Sequence, residues 1–406
     1  GDVIKVAGMH RIADTYGPMP YSKIGADGAL QVPFDDQETV YKTMISELDA
    51  AIEVLTRNRT NNFSANADVI FAGNVEKWCR YANSLKLRLA MRMSYADAEY
   101  AKKAAQEVAA HEIGTMASAD DIAQLTTFGS EGNPLYVAVN YNRVSVHEDG
   151  SACLTTGDSH AAADIILYMN GYNDPRRAAY FTKSEWEGFE YVGLRHGIVI
   201  PDHATVGHKY SGIKLDQFSS PIVLMTPAES AFLKAEAVAV FGWNMGGSAQ
   251  SFYEEGISLS FEQWGVSGAD TYIANSSATP EDYTDLSGKG YSANFSSKIT
   301  VAWENGGEFE KNLERIITQK WIANWRGTGI EGWFEFRRTG YPALLATGAN
   351  LSSGVIAEDG FARRLPYPIN ELTNNSANYR EAVSDLLGGP DNMATRVWWD
   401  CNPRTK

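Results

Sequence analysis

The sequence predicts a mainly α protein of paired helices that carries two large irregular insertions. Three observations support this prediction. Apolar residues recur at spacings of three and four over several long segments, and these segments follow one another in pairs. Between the pairs lie stretches rich in Gly, Asn, Ser and Tyr that show no sustained period. We therefore predict one domain over residues 1–406, with its core between stacked helical hairpins.

The first helical unit covers about residues 2–112. Segment 2–16 reads as a helix, and the next helix begins near Asp36, with Asp35 as its N-cap and Glu38 as the acidic partner. Its inward face is marked by Val40, Met44, Leu48, Ile52 and Leu55. Segment 74–95 has a similar stripe, and segment 97–112 is rich in Ala, which allows close approach to a neighbouring helix.

The second helical unit covers about residues 226–338. Thr226-Pro227-Ala228-Glu229 is a capping box with Pro at the first helical position, and Gly242 ends that helix. The four predicted pairs are 2–16 with 37–57, 74–95 with 97–112, 226–241 with 248–264, and 308–326 with 330–338. The third pair has about the length of a tetratricopeptide unit. The prediction is therefore a stack of tetratricopeptide-like hairpins.

The remaining segments are predicted to be mostly loop. They are the insertions 113–225 and 265–307 and the tail 340–406, along which five prolines are spread. Within the first insertion we predict short strands at Leu135–Val139 and at Gly197–Pro201.

Composition excludes several classes of protein. The chain has 35 basic and 50 acidic residues, a net charge of −15, and such a balance argues against nucleic-acid binding. The apolar fraction of 44% is enough for a large core. The sequence contains no run of 18 apolar residues, so it predicts no membrane-spanning helix. Three scattered cysteines indicate neither a disulfide framework nor a zinc site.

No motif in the sequence predicts a catalytic residue, a metal site or a cofactor. His196, His203 and His208, with Asp202 beside them, match no zinc-ligand spacing and read as surface histidines. There is no Gly-x-Ser-x-Gly sequence, and the glycines at 288 and 290 follow no buried strand. With 50 acidic residues, a pair of glycosidase carboxylates stays open as the enzyme alternative.

The loops are rich in aromatic residues, which suits carbohydrate binding. Aromatic rings stack on the C–H faces of sugars, while neighbouring polar side chains pair with the hydroxyls. Aromatic residues make up 11% of the chain. Trp78, Trp264, Trp321 and Trp333 fall on predicted helices and are assigned to the core. The candidate ligand-binding residues are those in loops: Tyr141, Asn142, Trp186, Phe189, Tyr191, Tyr283, Tyr291 and Trp303.

Several short motifs follow one another along the chain: Asp14-Thr15-Tyr16-Gly17, Gly73 to Trp78, Tyr81 to Arg92, Asp174-Pro175-Arg176, Gln319-Lys320-Trp321, Gly332 to Pro342, and Arg364 to Pro368. In this order, from residue 12 to about 380, they resemble the motifs of one family, the SusD/RagB-like outer-membrane nutrient-binding lipoproteins of the Bacteroidetes. Within these motifs we expect Arg337 and Arg338 to brace helices, and Lys86, Arg88 and Arg92 to pair internally.

The resemblance implies a single SusD-like domain that binds oligosaccharide or polysaccharide without catalysis. It also implies a SusC-like TonB-dependent transporter as partner and a lipid-anchored position at the cell surface. The family's lipoprotein signal, anchor cysteine and first helical segment are expected upstream of this sequence, and Gly1 reads as an added residue. A tetratricopeptide-type scaffold for peptides or proteins is the alternative from another class.

Overall fold

The computed structural model describes residues 1–26, 28–126, 128, 132–141, 153, 158–199, 206–215, 217, 219–357 and 360–405. Helices dominate these residues, and the one sheet among them has two short strands. The mainly α architecture predicted from the sequence is confirmed.

Among the described residues, the eight predicted helices are present in the predicted order, and six shorter helices lie in the segments predicted to be mostly loop. They are α1 (Asp2–Tyr16), α2 (Gln37–Arg57), α3 (Val75–Arg92), α4 (Ala98–Ala110), α5 (Pro134–Val139), α6 (Ala163–Gly171), α7 (Arg177–Tyr180), α8 (Pro227–Phe241), α9 (Ala249–Gln263), α10 (Ala269–Ile273), α11 (Phe309–Ala323), α12 (Gly329–Thr339), α13 (Ile369–Asn374) and α14 (Ser376–Glu381). Short 3₁₀ turns cover Ala65–Ala67, Ala119–Asp121, Gly207–Lys209 and Pro403–Thr405, and a π-helical turn covers Ala382–Leu386.

The helices contact each other in the predicted pairs: α1 with α2, α3 with α4, α8 with α9, and α11 with α12. In the α8–α9 hairpin, Gly256 allows the closest approach, because a Cβ there would lie 2.7 Å from the ring of Phe232. Thr226 caps α8 by accepting a hydrogen bond from the Glu229 amide, and Gly242 ends that helix with φ +65°. Successive pairs also contact each other: the first and second through α2 and α3, the second and third through α3 and α8, and the third and fourth through α8 and α11.

Two local predictions need correction. The N-cap of α2 is Asp36, whose carboxylate accepts from the Thr39 amide, because Asp35 instead accepts from the amide and hydroxyl of Ser22. Residues 135–139 form helix α5 and not a strand. Pro134 at the first helical position and the Asn133 side chain, which accepts from the Leu135 amide, set this helix.

The first insertion has more regular structure than the sequence predicts. Strands β1 (Ala123–Leu125) and β2 (Ile222–Met225) pair antiparallel near its two ends, with Ala123 opposite Met225. The insertion therefore leaves and rejoins the helical body at one place. Helix α6 was not predicted because residues 163–169 are all buried, which removes the one-sided apolar period. The predicted strand at Gly197–Pro201 falls partly outside the described residues and is not regular over 197–199.

Buried ion pairs join helices of the second, third and fourth pairs. They comprise four cations and four carboxylates: Arg88 with Glu229, Arg92 with Glu331, Arg338 with Glu236, and Lys320 with Glu335. We call these eight side chains the buried ion network. Arg88 donates to both Glu229 oxygens at 2.7 and 2.8 Å, and Arg338 donates to both Glu236 oxygens at 2.6 and 2.7 Å. Such paired geometry offsets the cost of burying charge.

The internal pairing expected for the motif cations is confirmed. Lys86 lies 2.5 Å from Asp49 and 2.6 Å from Glu107, so it joins α3 to α2 and α4. Arg337 stacks 3.9 Å from the Trp333 ring centroid and donates to the Asp14 carbonyl at 2.7 Å. These motif residues are therefore structural.

We expect Glu331→Gln to destabilise the protein by about 3–5 kcal/mol, because it leaves buried Arg88 and Arg92 short of a carboxylate. Chemical denaturation measures this change. The control is Glu53→Gln, which removes an exposed i,i+4 pair with Arg57 and should cost less than about 1 kcal/mol. Equal costs for the two variants would contradict the role of the buried ion network.

Stability should also fall in acid. Burial by itself raises the pKa of Glu331, but Arg88, the His10 hydrogen bond and Arg92 outweigh it and hold that pKa well below its usual range. A carboxylate whose pKa is lower in the folded than in the unfolded state stabilises the fold at any pH above the unfolded-state pKa, which is about 4.3 for Glu. This contribution is lost as the pH falls below that value toward the folded-state pKa. Denaturation midpoints measured between about pH 6 and pH 3 should drop less in Glu331→Gln than in the wild type. Parallel pH profiles would contradict this assignment.

Candidate functional site

The predicted ligand-binding aromatics do not form one exposed set. Tyr191 and Tyr283 are 6% and 4% exposed, so little of either ring reaches solvent. The Arg177 guanidinium covers the Tyr191 ring at 4.3 Å, and Tyr283 pairs its backbone with Ala293. Burial is the main reason that the pKa values of both phenols are raised. These rings support the surface from beneath.

Trp186 and Tyr291 are half-buried and already engaged. The Lys209 ammonium lies 4.9 Å from the Trp186 ring centroid, and Tyr210 meets the same ring edge-on at 6.0 Å. The Tyr291 hydroxyl accepts from the Val199 amide at 3.2 Å. We therefore assign these two residues to holding the loops together.

Phe189, Tyr141 and Trp303 keep accessible ring surface. Phe189 is 47% exposed, and Tyr141, which follows α5, is 62% exposed. Trp303 is half-buried in the second insertion. Asn142, the remaining predicted residue, lies outside the described residues.

Trp303 forms one wall of a pocket of about 590 Å³, a size typical of small-ligand sites. The polar residues that also line this pocket, which we call the Trp303 pocket, are Ser276, Lys298, Thr300, Glu304, Lys311, Glu314 and Arg315. An aromatic wall with several hydrogen-bonding groups around it is the arrangement that a sugar ring requires.

The loop that carries Trp303 is fixed from below by buried tyrosines. The Tyr253 hydroxyl donates to the Val301 carbonyl at 2.6 Å, and the Tyr172 hydroxyl donates to the Ile299 carbonyl at 2.9 Å. The Tyr253 ring also packs against Trp303, with centroids 5.4 Å apart. The indole is therefore held in place by residues of α9 and of the turn that follows α6.

The acidic groups of the Trp303 pocket differ in environment. Glu304 pairs with Arg315 at 3.0 Å. Burial raises the pKa of Glu314, although a hydrogen bond from the Ser297 hydroxyl at 2.5 Å opposes this change. No sequence motif marks the charged residues of α11, yet Lys311, Glu314 and Arg315 follow helical spacing and so share one face of the predicted helix.

A second, shallower cleft adjoins the Trp303 pocket. It is lined by Phe189, Asn170, Glu281, Asp282 and Thr284, above the buried rings of Tyr191 and Tyr283, and we call it the Phe189 ledge. Asp282 of this ledge pairs with Lys298 of the Trp303 pocket at 3.0 Å. The two features are therefore neighbours across one ion pair, and together we call them the Trp303–Phe189 surface.

Two other pockets among the described residues lack this combination. The groove lined by Val54, Leu55, Phe63 and Trp78 is mostly apolar and offers few partners for hydroxyls. The pocket lined by Lys77, Asp120 and Gln124 is polar, but its Phe71 ring is 6% exposed. The Trp303–Phe189 surface is therefore the better candidate.

The described residues contain no group of His, Cys, Asp or Glu side chains arranged to hold a metal ion. His196 hydrogen bonds to Asp164 at 3.0 Å, and His208 lies 3.7 Å from Glu185, while His203 is outside the described residues. Within the same ranges, none of the helices has the length and apolar character needed to span a membrane.

The comparisons with known proteins agree on one family. The family model described as SusD-like, SusD and RagB outer membrane lipoprotein, matches residues 1–400. No curated protein sequence matches the chain.

Solved structures match over almost the whole chain. A SusD homologue from Bacteroides uniformis is 50% identical with a TM-score of 0.92, and the match covers 99% of this chain and 80% of that one. A chitin-binding SusD homologue from Flavobacterium johnsoniae is 38% identical with a TM-score of 0.88, over 99% and 80% of the two chains. A SusD-like protein from Bacteroides thetaiotaomicron is 36% identical with a TM-score of 0.87, over 100% and 81%.

The identity, the coverage and the shared helical architecture lead to the same assignment as the motifs at residues 14–17, 81–92 and 332–342. This chain belongs to the SusD-like family of outer membrane lipoproteins.

Proposed function

We propose that this protein binds oligosaccharide or polysaccharide at the cell surface, without catalysis, and delivers it to a SusC-like TonB-dependent transporter. The contact site in this proposal is the Trp303–Phe189 surface. The observation that carries it is Trp303, which lines a pocket of about 590 Å³ together with charged and hydroxyl-bearing residues. An indole stacks on a sugar face, while the surrounding groups bind hydroxyls.

The relatives support this proposal and suggest the first ligand to try. One homologue at 38% identity is described as chitin-binding. The family description as outer membrane lipoproteins supports a lipid-anchored position at the cell surface. Oligomers of N-acetylglucosamine are therefore the first probes, and copurification with a SusC-like protein from outer membranes tests the transporter partner.

The alternative function, a tetratricopeptide-type scaffold that binds peptides or proteins, has less support in the structure. A peptide-binding helical scaffold needs an open groove along its inner helix faces. Here α8 packs closely on α9, and the buried ion network fills the space between α3, α8 and α12. The Trp303 pocket lies instead where the second insertion meets α11.

Glycoside hydrolysis is the second candidate because the Trp303 pocket holds two carboxyl groups in different states. Glu314 has a pKa raised by burial, as a general acid requires, and Glu304 stays paired with Arg315. Release of reducing ends from a bound glycan, abolished by Glu314→Gln, would favour this function. Binding without such release favours capture alone.

We expect Trp303→Ala to weaken glycan binding at least about tenfold, because stacking on the indole is lost while the polar groups remain. Titration calorimetry with chitohexaose and a panel of soluble polysaccharides measures the change. Phe189→Ala should weaken binding by a smaller factor, since its cleft is shallower.

The matched control is Phe63→Ala. Phe63 is 47% exposed, as Phe189 is, but its ring lies in the apolar groove beside Val54 and Leu55. This variant should bind as the wild type does. Thermal melts establish that each variant is folded. Unchanged affinity in folded Trp303→Ala would contradict the proposed site, and no binding to any glycan by the wild type would contradict the proposed function.

A further inference from the structure

The segment 299–304, which carries Trp303, is hydrogen bonded to its surroundings on both sides of the indole. Two buried tyrosine hydroxyls hold its backbone from beneath. The Ala302 amide also donates to the Asn275 carbonyl at 2.9 Å. Within the part of the chain that the structure describes, Trp303 is the one member of this segment without a hydrogen bond of its own. The segment therefore holds every residue except the one whose ring faces the pocket.

Arg315 of α11 bonds this segment before and after Trp303. Its guanidinium donates to the carbonyl and to the hydroxyl of Thr300, both at 3.2 Å. It also donates to the Glu304 carboxylate at 3.0 Å. An arginine offers several N–H groups in fixed directions within one plane, whereas a lysine has a single ammonium group. One arginine side chain therefore fixes both ends of the stretch that carries the indole.

Asn312, one turn earlier on α11, completes this arrangement. Its side-chain oxygen accepts from Arg315 at 3.0 Å, and its side-chain nitrogen donates to the Glu304 carbonyl at 2.9 Å. Asn312 is 7% exposed and is not among the described residues that line the Trp303 pocket. We call Arg315 and Asn312, with these acceptors, the α11 clamp.

We infer that Arg315 and Asn312 are positioning residues that set the Trp303 indole for stacking on a sugar and act on affinity through that indole. The inference rests on the proposed function. A mobile loop would have to become ordered when the sugar binds, and this cost lowers the affinity. The α11 clamp orders the loop during folding, so the cost is absent when the ligand arrives.

Arg315→Lys tests the clamp because it keeps the positive charge and loses the planar group. We expect this variant to bind glycan about three- to tenfold more weakly than the wild type, since the Trp303 loop must then be ordered by the ligand. Titration calorimetry on the full chain measures the change, with chitohexaose or with the glycan of the panel that binds the wild type. The control is Arg57→Lys at an exposed position of α2, which should bind as the wild type does.

Asn312→Ala separates positioning from direct contact. It removes both hydrogen bonds of Asn312 from behind the pocket lining, so its effect on the ligand passes through the loop. We expect a loss of affinity similar to that of Arg315→Lys. Because the two residues act as one clamp, the double variant should lose less affinity than the product of the two separate losses.

The order of the indole can also be measured without ligand. In protein labelled with fluorotryptophan, comparison with Trp303→Phe identifies the fluorine resonance of Trp303. We expect one narrow line in the wild type and in Arg57→Lys, and a broadened or split line in Arg315→Lys and Asn312→Ala. A role in overall stability alone would lower the thermal midpoint of the variants and leave this line narrow.

Wild-type affinity in folded Arg315→Lys, or a narrow Trp303 line in both clamp variants, would overturn this inference and leave the proposed function intact. Weak binding by Arg315→Lys together with wild-type affinity in Asn312→Ala would also overturn it, because Arg315 would then act on the ligand directly. If no glycan of the panel binds the wild type, the proposed function fails and the inference fails with it.

Discussion

The buried ion network is the interaction on which the rest of this structure depends. Its four cations lie on α3, α11 and α12, and its four carboxylates lie on α8 and α12, all with side chains at most 4% exposed. Any other arrangement of these helices would leave a buried charge unpaired, at a cost of about 3–5 kcal/mol for each broken pair. The pairs therefore set the relative positions of the helices as well as contributing to stability.

The helical frame determines where the loops can lie. The first insertion is closed at its base by β1 and β2, next to the Arg88 guanidinium, which donates to the Leu224 carbonyl at 3.4 Å. The second insertion is fastened by Tyr172 and Tyr253, whose hydroxyls reach its backbone. Many of the aromatic residues therefore hold loops to helices. The candidate glycan contacts, Trp303 and Phe189, rest on this fixed layer, which favours a preformed binding surface.

The sequence predicts the long helices well because each has one apolar face and a recognisable cap, as α8 has in Thr226 and Gly242. It fails at α6, which is buried on all sides, and at α5, where it predicts a short strand over Leu135–Val139. It also cannot separate exposed from buried loop aromatics. Tyr191 and Phe189 are two residues apart, yet only a tertiary contact, the Arg177 guanidinium over the Tyr191 ring, distinguishes them. The charged face of α11 opposite Trp303 depends on the same long-range placement.

A crystal structure of the protein with bound chitohexaose, or with another oligosaccharide that binds, tests the central claim most directly. The account predicts a sugar ring stacked on the Trp303 indole at about 4 Å, with further rings continuing past Lys298 and Asp282 toward Phe189. An oligosaccharide bound in the apolar groove beside Phe63, or along the inner helix faces, would contradict it.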